Sequence, residues 1–157
     1  MHLPLSILFI YKVDGLSTGT NRLSHCLLQI QSQSPFAVNI SGHTRLKCQK
    51  ILTMIPRSGQ YSNYERPLRS MWKEYRNRIS KDSMIIFIGD ARNNKNDAGE
   101  NYIKNICRKA KCAYWLNTDD RKKWDQGDSI ASVYGHYAAM YEIRNIRQLL
   151  GFLSEMK

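Results

Sequence analysis

The sequence predicts an α/β domain built on an open, mostly parallel, doubly wound sheet. The clearest observation is the unbroken apolar run Met84–Ile88, which is typical of a strand covered on both faces in a parallel sheet. The preceding segment, Glu65–Ile79, carries apolar residues at helical spacing. From there onwards helical and strand patterns alternate, which is the order expected of such a sheet. With 157 residues, the chain has the length of one domain.

The N-terminal third carries weaker patterns than the rest, so we treat 1–55 and 56–157 as two segments. Leu5–Tyr11 is an apolar run of strand length, and a loop rich in glycine and hydroxyl residues follows it. Arg22–Ile30 is predicted to be a short helix. Beyond it, residues 31–54 show at most a weak helical pattern.

The second segment shows clearer elements. Pro67 fits the first turn of a helix, because this turn leaves the N–H that proline lacks unpaired. Asp97 and Asn145 are placed to cap later helices. The elements predicted after the strand Met84–Ile88 are a helix after Asp97, a strand over Cys112–Leu116, a polar loop over residues 117–129, a short strand over Ala138–Ile143 and a helix after Asn145.

The chain is strongly basic. Lys and Arg number 24 against 13 Asp and Glu, which gives a formal net charge of +11. Such an excess favours anionic partners, namely nucleic acid, an acidic protein or a membrane surface. Because the charges are distributed along the sequence and form no single block, a solvated basic surface is the simplest interpretation.

The cysteines and the N-terminal residues favour a cytoplasmic protein. None of the four cysteines forms a CxxC pair, so a zinc knuckle is not indicated. Cys107 and Cys112 have the pattern of small buried hydrophobic residues in a reducing compartment. The apolar run Leu5–Tyr11 is too short to span a bilayer, and no basic region of a signal peptide precedes it.

Polar residues follow two of the predicted strands at the point where each strand ends. Asp90, Arg92, Asn93 and Asn94 come directly after the first, and Asn117 ends the next. The carboxyl ends of parallel strands meet at one edge of a sheet, where ligands gather in open α/β folds. We call this edge, formed by the loops that follow the parallel strands, the rim.

Asp90 allows three interpretations. It could be an oxygen ligand for Mg²⁺, a catalytic acid or base, or a structural cap whose neighbouring asparagines satisfy the loop backbone. The sequence contains no GxxxxGK[ST] loop and no GxSxG elbow, which argues against a phosphate-cradle NTPase and an elbow nucleophile. His136 is more typical of a turn or core residue than of a catalyst.

Four motifs, taken together, resemble one known family. They are "GDARNN" at Gly89–Asn94, "WLNT" at Trp115–Thr118, "WDQGDS" at Trp124–Ser129 and "RNIRQL" at Arg144–Leu149. Occurring in this order within residues 56–157, they are similar to motifs of von Willebrand factor A-type (VWA) domains of the CoxE-like family. The resemblance implies a Rossmann-like, doubly wound domain with a metal-ion-dependent adhesion site.

The resemblance implies only part of that site in this chain. In the family, three loops hold Mg²⁺ and an acidic group of a partner protein completes its coordination. Asp90 matches the aspartate of the third loop, and Ser62 matches the threonine of the second. The Asp-x-Ser-x-Ser motif of the first loop is absent from the sequence, and Leu5–Tyr11 resembles the family's third strand. The domain is therefore expected to lack, on its N-terminal side, the central first strand of the sheet, which would leave a neighbouring strand unpaired. It is also expected to bind Mg²⁺ weakly.

The leading functional hypothesis is a non-catalytic protein-interaction module. By resemblance, it would assist a MoxR-type AAA+ ATPase in the maturation or remodelling of metalloenzymes and protein complexes. The residues expected to contact a partner or to shape the rim are Arg92, Asn93, Asn94, Asn117, Asp128 and Ser129.

Two other hypotheses belong to different classes. Nucleic-acid binding draws on the net charge and on Trp115, Trp124 and Tyr134 near the rim. Against this hypothesis, the sequence contains no recognisable nucleic-acid-binding motif, and the same aromatic residues fit a hydrophobic core. An enzyme that uses Asp90 with Arg92 is the third hypothesis, and it lacks a placed second carboxylate or nucleophile.

Overall fold

The structure is a computed structural model that describes the backbone of Ile7–Val13 and Leu23–Ile30 and, in full, residues 63–155. The strands are β1 (Ile7–Val13), β2 (Leu23–Ile30), β3 (Ser83–Gly89), β4 (Cys112–Asn117) and β5 (Ala139–Glu142). The helices are α1 (Glu65–Tyr75), α2 (Glu100–Lys109), α3 (Ala131–Gly135) and α4 (Ile146–Glu155), with a 3₁₀ turn at Arg121–Lys123. The predictions made for residues 31–54 and for Ser62 lie outside the described residues.

The five described strands form one sheet in the order β2-β1-β3-β4-β5. β3, β4 and β5 are parallel, with Phe87 opposite Trp115 and Trp115 opposite Met140. β1 runs antiparallel to both of its neighbours, β2 and β3. The open α/β sheet is as predicted, but its adjacent parallel strands are limited to three, and the pairings on the N-terminal side are antiparallel.

β1 lies where the resemblance implied a missing strand. Its pairing with β3 extends from Ile7 opposite Ile88 to Lys12 opposite Ser83. The expectation that this side of β3 is an exposed edge is therefore wrong for the described sheet. Because β3 is paired on both sides, its backbone groups are satisfied by neighbouring strands.

The helix predicted over Arg22–Ile30 is also wrong, because Leu23–Ile30 forms β2. A short apolar segment does not distinguish helix from strand by periodicity alone. The pairing of β2 with β1 runs from Leu23 opposite Val13 to Ile30 opposite Ile7. Such tertiary pairing outweighs the small differences in helix propensity between residues.

Two helix boundaries differ from the prediction. α1 ends at Tyr75, and a turn in which Arg78 and Ile79 donate their N–H groups to the Tyr75 carbonyl brings Ile79 into the core. α2 begins after Gly99, whose φ of 65° suits glycine, while Asp97 accepts the Gly99 N–H at 2.7 Å. Within the described residues, no helix combines the length and apolar character needed to cross a membrane.

Helices flank the three parallel strands on both faces. On the first face, side chains of α1, α2 and α3 pack with alternate residues of the strands, among them Ile85, Phe87 and Trp115. On the second face, Phe152 of α4 packs edge-on against Tyr114 and Tyr141. The rim lies at the carboxyl ends of β3 and β4, between these two layers.

Candidate functional site

The rim is formed by two loops that are tied to each other. The loop after β3 and the loop after β4 meet in an antiparallel bridge between Arg92 and Ser129. Next to this bridge, Ile130 donates its backbone N–H to the carbonyl of Ala91 at 2.9 Å. The backbone thus fixes the motifs "GDARNN" and "WDQGDS" against each other, although they are far apart in the sequence.

Asp90 is partly buried at the end of β3. Its Oδ1 accepts hydrogen bonds from the Tyr64 hydroxyl at 2.8 Å and from the backbone N–H of Arg92 at 3.0 Å. No described residue donates a hydrogen bond to its Oδ2. One oxygen therefore fixes the orientation of the carboxylate, and the other has no donor among the described residues.

Tyr64 holds Asp90 in place, and Gly89 makes room for Tyr64. Besides donating to Asp90, the Tyr64 hydroxyl accepts the backbone N–H of Ala91 at 3.2 Å. A Cβ at position 89 would stand 2.3 Å from the Tyr64 hydroxyl oxygen, so glycine is required for this close approach. Sequence reasoning gave Tyr64 no role, because its partner lies 26 residues further along the chain.

An aromatic cluster supports the rim from below. Trp115 and Tyr134 stack with ring centroids 4.3 Å apart, and Tyr64 contacts both rings. Trp115 Nε1 donates to the carbonyl of Gly89 at 3.0 Å, which anchors the end of β3. Both stacked rings are buried. Because they are buried, Trp115 and Tyr134 cannot stack on the bases of a nucleic acid. Two of the three aromatic residues on which the nucleic-acid hypothesis draws therefore do not support it.

Arg92 joins the two loops through its guanidinium group. Nε and Nη2 donate to Asp119 Oδ2 at 3.0 and 2.6 Å, and Nη1 donates to Asp128 Oδ1 at 2.8 Å. These charge-assisted hydrogen bonds place the single positive charge of Arg92 between the two carboxylates. The side chain of Arg92 is thus turned to Asp119 and Asp128, and only its backbone N–H contacts Asp90. Asp119 was not among the predicted residues, because nothing in "NTDDRKK" singles out one aspartate.

The pKa of Asp128 is lowered by this arrangement. Burial acts to raise the pKa, but the hydrogen bond from Arg92, two backbone N–H groups and the Arg92 charge together outweigh burial. Asp128 also accepts the N–H of Asn93 on its backbone carbonyl, at 3.0 Å. The residue is therefore ionised and held from both its side chain and its backbone.

Asn93 is the central buried polar residue of the rim. Its Oδ1 accepts the backbone N–H of Tyr64 at 3.0 Å, and its Nδ2 donates to the carbonyls of Asn96 and Asp97 at 2.7 and 2.8 Å. It is 1% exposed, so these bonds are shielded from water. Asn93 thereby connects the start of α1 with the loop that leads to α2.

Three other predicted residues lie in the same loops. Asn117 is buried, and its Oδ1 accepts the backbone N–H of Asp119 at 2.9 Å. Ser129 is buried, and its Oγ accepts the N–H of Asp125 at 3.1 Å. Asn94 is exposed and has a φ of 47°, a conformation that asparagine adopts more readily than most residues. All three positions fit a role in shaping the loops.

Backbone strain is concentrated at the rim. Every described non-glycine residue with a positive φ lies in one of its two loops: Ala91, Asn94, Lys95 and Asp125. Each residue in this conformation costs about 1 kcal/mol of folding free energy, and backbone strain of this kind clusters at functional sites. Ala91 directly follows Asp90 and is fully buried, so the strained turn sets where the Asp90 carboxylate stands.

The described residues do not by themselves form a metal site. Nowhere among them do three His, Cys, Asp or Glu side chains come together to hold an ion. Asp119 and Asp128 are engaged by Arg92, and Ser62 lies outside the described residues. Asp90 offers a carboxylate oxygen to which no described residue donates, and Mg²⁺ in proteins uses one or two carboxylates together with other oxygen ligands.

The rim gathers most of the carboxylates of the chain. Nine of the 13 acidic residues stand in its loops, at the starts of α1 and α2 or at the end of β5: Glu65, Asp90, Asp97, Glu100, Asp119, Asp120, Asp125, Asp128 and Glu142. Glu65, Asp97 and Glu100 line a cleft of about 640 Å³ between the two helix starts. The basic excess of the chain therefore does not come from the rim.

Comparison of the chain with protein-family models, curated proteins and solved structures gives no significant match.

Proposed function

We propose that the chain is a non-catalytic, VWA-type protein-interaction module that binds a partner protein at the rim. The proposal includes a cytoplasmic location and a MoxR-type AAA+ ATPase as the partner class, acting in the maturation of metalloenzymes or protein complexes. The four motifs that resemble the family support it. The observation that carries it is the Asp90 carboxylate, which is held by one oxygen and has no donor to the other within the described part of the chain.

Asp90 differs in this respect from the two aspartates nearest to it in the network. Asp119 and Asp128 already share the charge of Arg92 at 2.6 and 2.8 Å. Within residues 63–155, Asp90 is hydrogen-bonded only by neutral donors, the Tyr64 hydroxyl and a backbone N–H. Its negative charge is therefore left for a cation or for a hydrogen-bond donor of the partner.

Mg²⁺ enters the proposal as a weakly bound ion. Asp90 and Ser62 are the residues that would hold it, and its chemistry would be to bridge Asp90 to an acidic group of the partner. Isothermal titration of the purified chain with Mg²⁺ or Mn²⁺ measures this. We expect weak binding that is lost in Asp90→Asn, and tight binding would show that this chain completes a metal site from residues that the motifs did not identify.

The variant Asp90→Asn tests the role of the rim. Asparagine retains an Oδ1 that accepts from Tyr64 and Arg92, while the charge is removed. We expect its affinity for a MoxR-type ATPase from the same genome to fall at least about tenfold, the loss of one charge-assisted contact. Biolayer interferometry on the immobilised ATPase, with and without Mg²⁺, measures the change.

The matched control is Asp82→Asn, which removes the same charge from an exposed position at the other edge of the sheet. It should bind the ATPase as the wild type does. If Asp82→Asn and Asp90→Asn bind equally well, the rim is not the docking surface. If the wild type does not bind the ATPase at all, this partner class is wrong.

A further inference from the structure

The opposite edge of the parallel strands is strongly cationic. It is formed by the last turns of α1 and α2 and by residues 76–82, which lead into β3. Seven cationic side chains stand there against two carboxylates, Glu74 and Asp82. We call this surface the basic edge; its cations are Lys73, Arg76, Arg78, Lys81, Arg108, Lys109 and Lys111.

Two of these cations have a structural role. Lys81 Nζ donates to the carbonyls of Arg108 and Ala110 at 2.7 and 3.1 Å, at the end of α2. Lys109 Nζ donates to the carbonyl of Arg76 at 2.5 Å, at the end of α1. They offset the partial negative charge of two helix C-termini and join the two helix ends into one surface.

The remaining cations of the basic edge have no described contact with the carbonyls of the helix ends. The heads of Lys73, Arg76, Arg108 and Lys111 are exposed, and within residues 63–155 none of them makes a hydrogen bond or an ion pair. Arg78 lies over the ring of Tyr75 at 5.9 Å, which restricts its position without neutralising it. Within residues 63–155, the basic edge therefore presents several cations that no carboxylate pairs with.

We propose that the basic edge binds nucleic acid through its phosphates, without sequence preference. An acidic protein is the competing partner, but the buried centre of a protein interface is depleted of charged residues and enriched in aromatic ones. The exposed large hydrophobic residues of the described part all lie on α4, at Ile146, Leu150 and Leu153. Interfaces with nucleic acid are polar and positively charged, as this surface is. The proposal does not depend on the function proposed for the rim.

Fluorescence anisotropy with a labelled DNA oligonucleotide of mixed sequence tests the proposal. Phosphate contacts by Arg76, Arg78, Arg108 and Lys111 predict that affinity falls about a hundredfold between about 50 and 200 mM salt. In the double variant Arg76→Gln/Arg108→Gln, we expect affinity at low salt to fall at least about tenfold. The slope of log affinity against log salt should decrease by about two.

The matched control is Lys122→Gln/Lys123→Gln, which removes two exposed cations from the rim. It should leave both the affinity and the salt slope almost unchanged, as should Asp90→Asn. Thermal unfolding by circular dichroism verifies that both double variants are folded. Equal losses in the two double variants would overturn the proposal, because they would indicate a general effect of net charge. Binding of a polyglutamate peptide through the basic edge, without DNA binding, would also overturn it and identify an acidic protein instead.

Discussion

The rim and the basic edge, at opposite ends of the parallel strands, differ in how their charged side chains are paired. At the rim, Arg92 pairs with Asp119 and Asp128, and Arg144 lies 3.3 Å from Asp120 and 2.6 Å from Glu142. At the basic edge, no ion pair occurs among the described residues, and the cations contact helix carbonyls or aromatic rings or have no described partner. At the rim, ion pairs and hydrogen bonds thus join the charged side chains into one network. At the basic edge, the described cations form no such network.

This difference changes how the net charge of +11 is interpreted. A chain whose charges are distributed along the sequence can still separate them in space, because each helix of an α/β fold begins at one edge of the sheet and ends at the other. In α2, Glu100 stands at the first turn, and Arg108 and Lys109 stand at the last. This order complements the helix dipole and also gives the two edges opposite character. Within residues 63–155, cations therefore outnumber carboxylates at the basic edge, and carboxylates outnumber cations at the rim.

The most damaging change to the rim should be Asn93→Ala. It leaves one buried N–H and two carbonyls without their partner, which we expect to cost about 3 kcal/mol of unfolding free energy. Urea unfolding followed by circular dichroism measures the loss. The control is Asn101→Ala, at an exposed position of α2, where alanine favours the helix and the change should be close to zero. Similar values for the two variants would mean that the rim is not interlocked through Asn93.

The second change, Gly89→Ala, places a methyl group against Tyr64. The 2.3 Å approach to the hydroxyl oxygen cannot be tolerated, so the ring must move away from Asp90. We expect a loss of about 2 kcal/mol in thermal unfolding, in the range of overpacked cores. Nothing lies within 4 Å of a Cβ added at Gly151, in helix α4, so Gly151→Ala should stabilise the chain by about 0.5 to 1 kcal/mol. If both variants shift the stability in the same direction, the contact between Tyr64 and Gly89 is not as close as described.

The third change, Arg92→Gln, removes the cation that joins the two rim loops. Because Arg92, Asp119 and Asp128 are partly exposed, solvent screens their ion pairs, and we expect a loss of about 1 to 2 kcal/mol of unfolding free energy. Arg144→Gln breaks pairs whose arginine is 47% exposed, and its loss should stay below about 0.5 kcal/mol.

The contribution of Arg92 should also depend on pH. The pKa of folded Asp128 lies below its ordinary value of 3.8. Its ionised form therefore stabilises the folded chain above the unfolded pKa, and this stabilisation is lost as the pH falls through the folded pKa. The difference between wild type and Arg92→Gln, measured by urea unfolding, should be constant near neutral pH and shrink below about pH 4. A difference that grows on acidification would contradict the assignment.

The strength of the sequence signal decided what could be predicted. The strands β3, β4 and β5 were predicted with nearly the observed bounds, and the strongly periodic helix α1 was predicted with the observed start but four residues too long. Leu23–Ile30 was assigned to the wrong class, since its structure depends on a distant partner strand that local patterns do not reveal.

The candidate site shows the same limit. Asp90, Arg92 and Asn93 could be singled out because they follow a buried strand directly. Tyr64 and Asp119, which contact Asp90 and Arg92, could not, because each is 26 or 27 residues distant from its partner. The sequence therefore indicated where the rim lies, and the structure was needed to show that its charges are paired with one another.

The smallest change belongs to the basic edge and separates structural cations from free ones. Lys81→Ala removes two hydrogen bonds to carbonyls at the end of α2, and we expect a loss of about 0.5 kcal/mol, because the site is exposed and screened by salt. Lys111→Ala removes the same charge next to it, and its ammonium group has no described partner, so stability should be unchanged or slightly raised as repulsion falls. Thermal unfolding at low and high salt measures both, and the difference between the two variants should narrow at high salt. Equal losses for Lys81→Ala and Lys111→Ala would mean that every cation of the basic edge is used by the fold, and that none is left over for a partner.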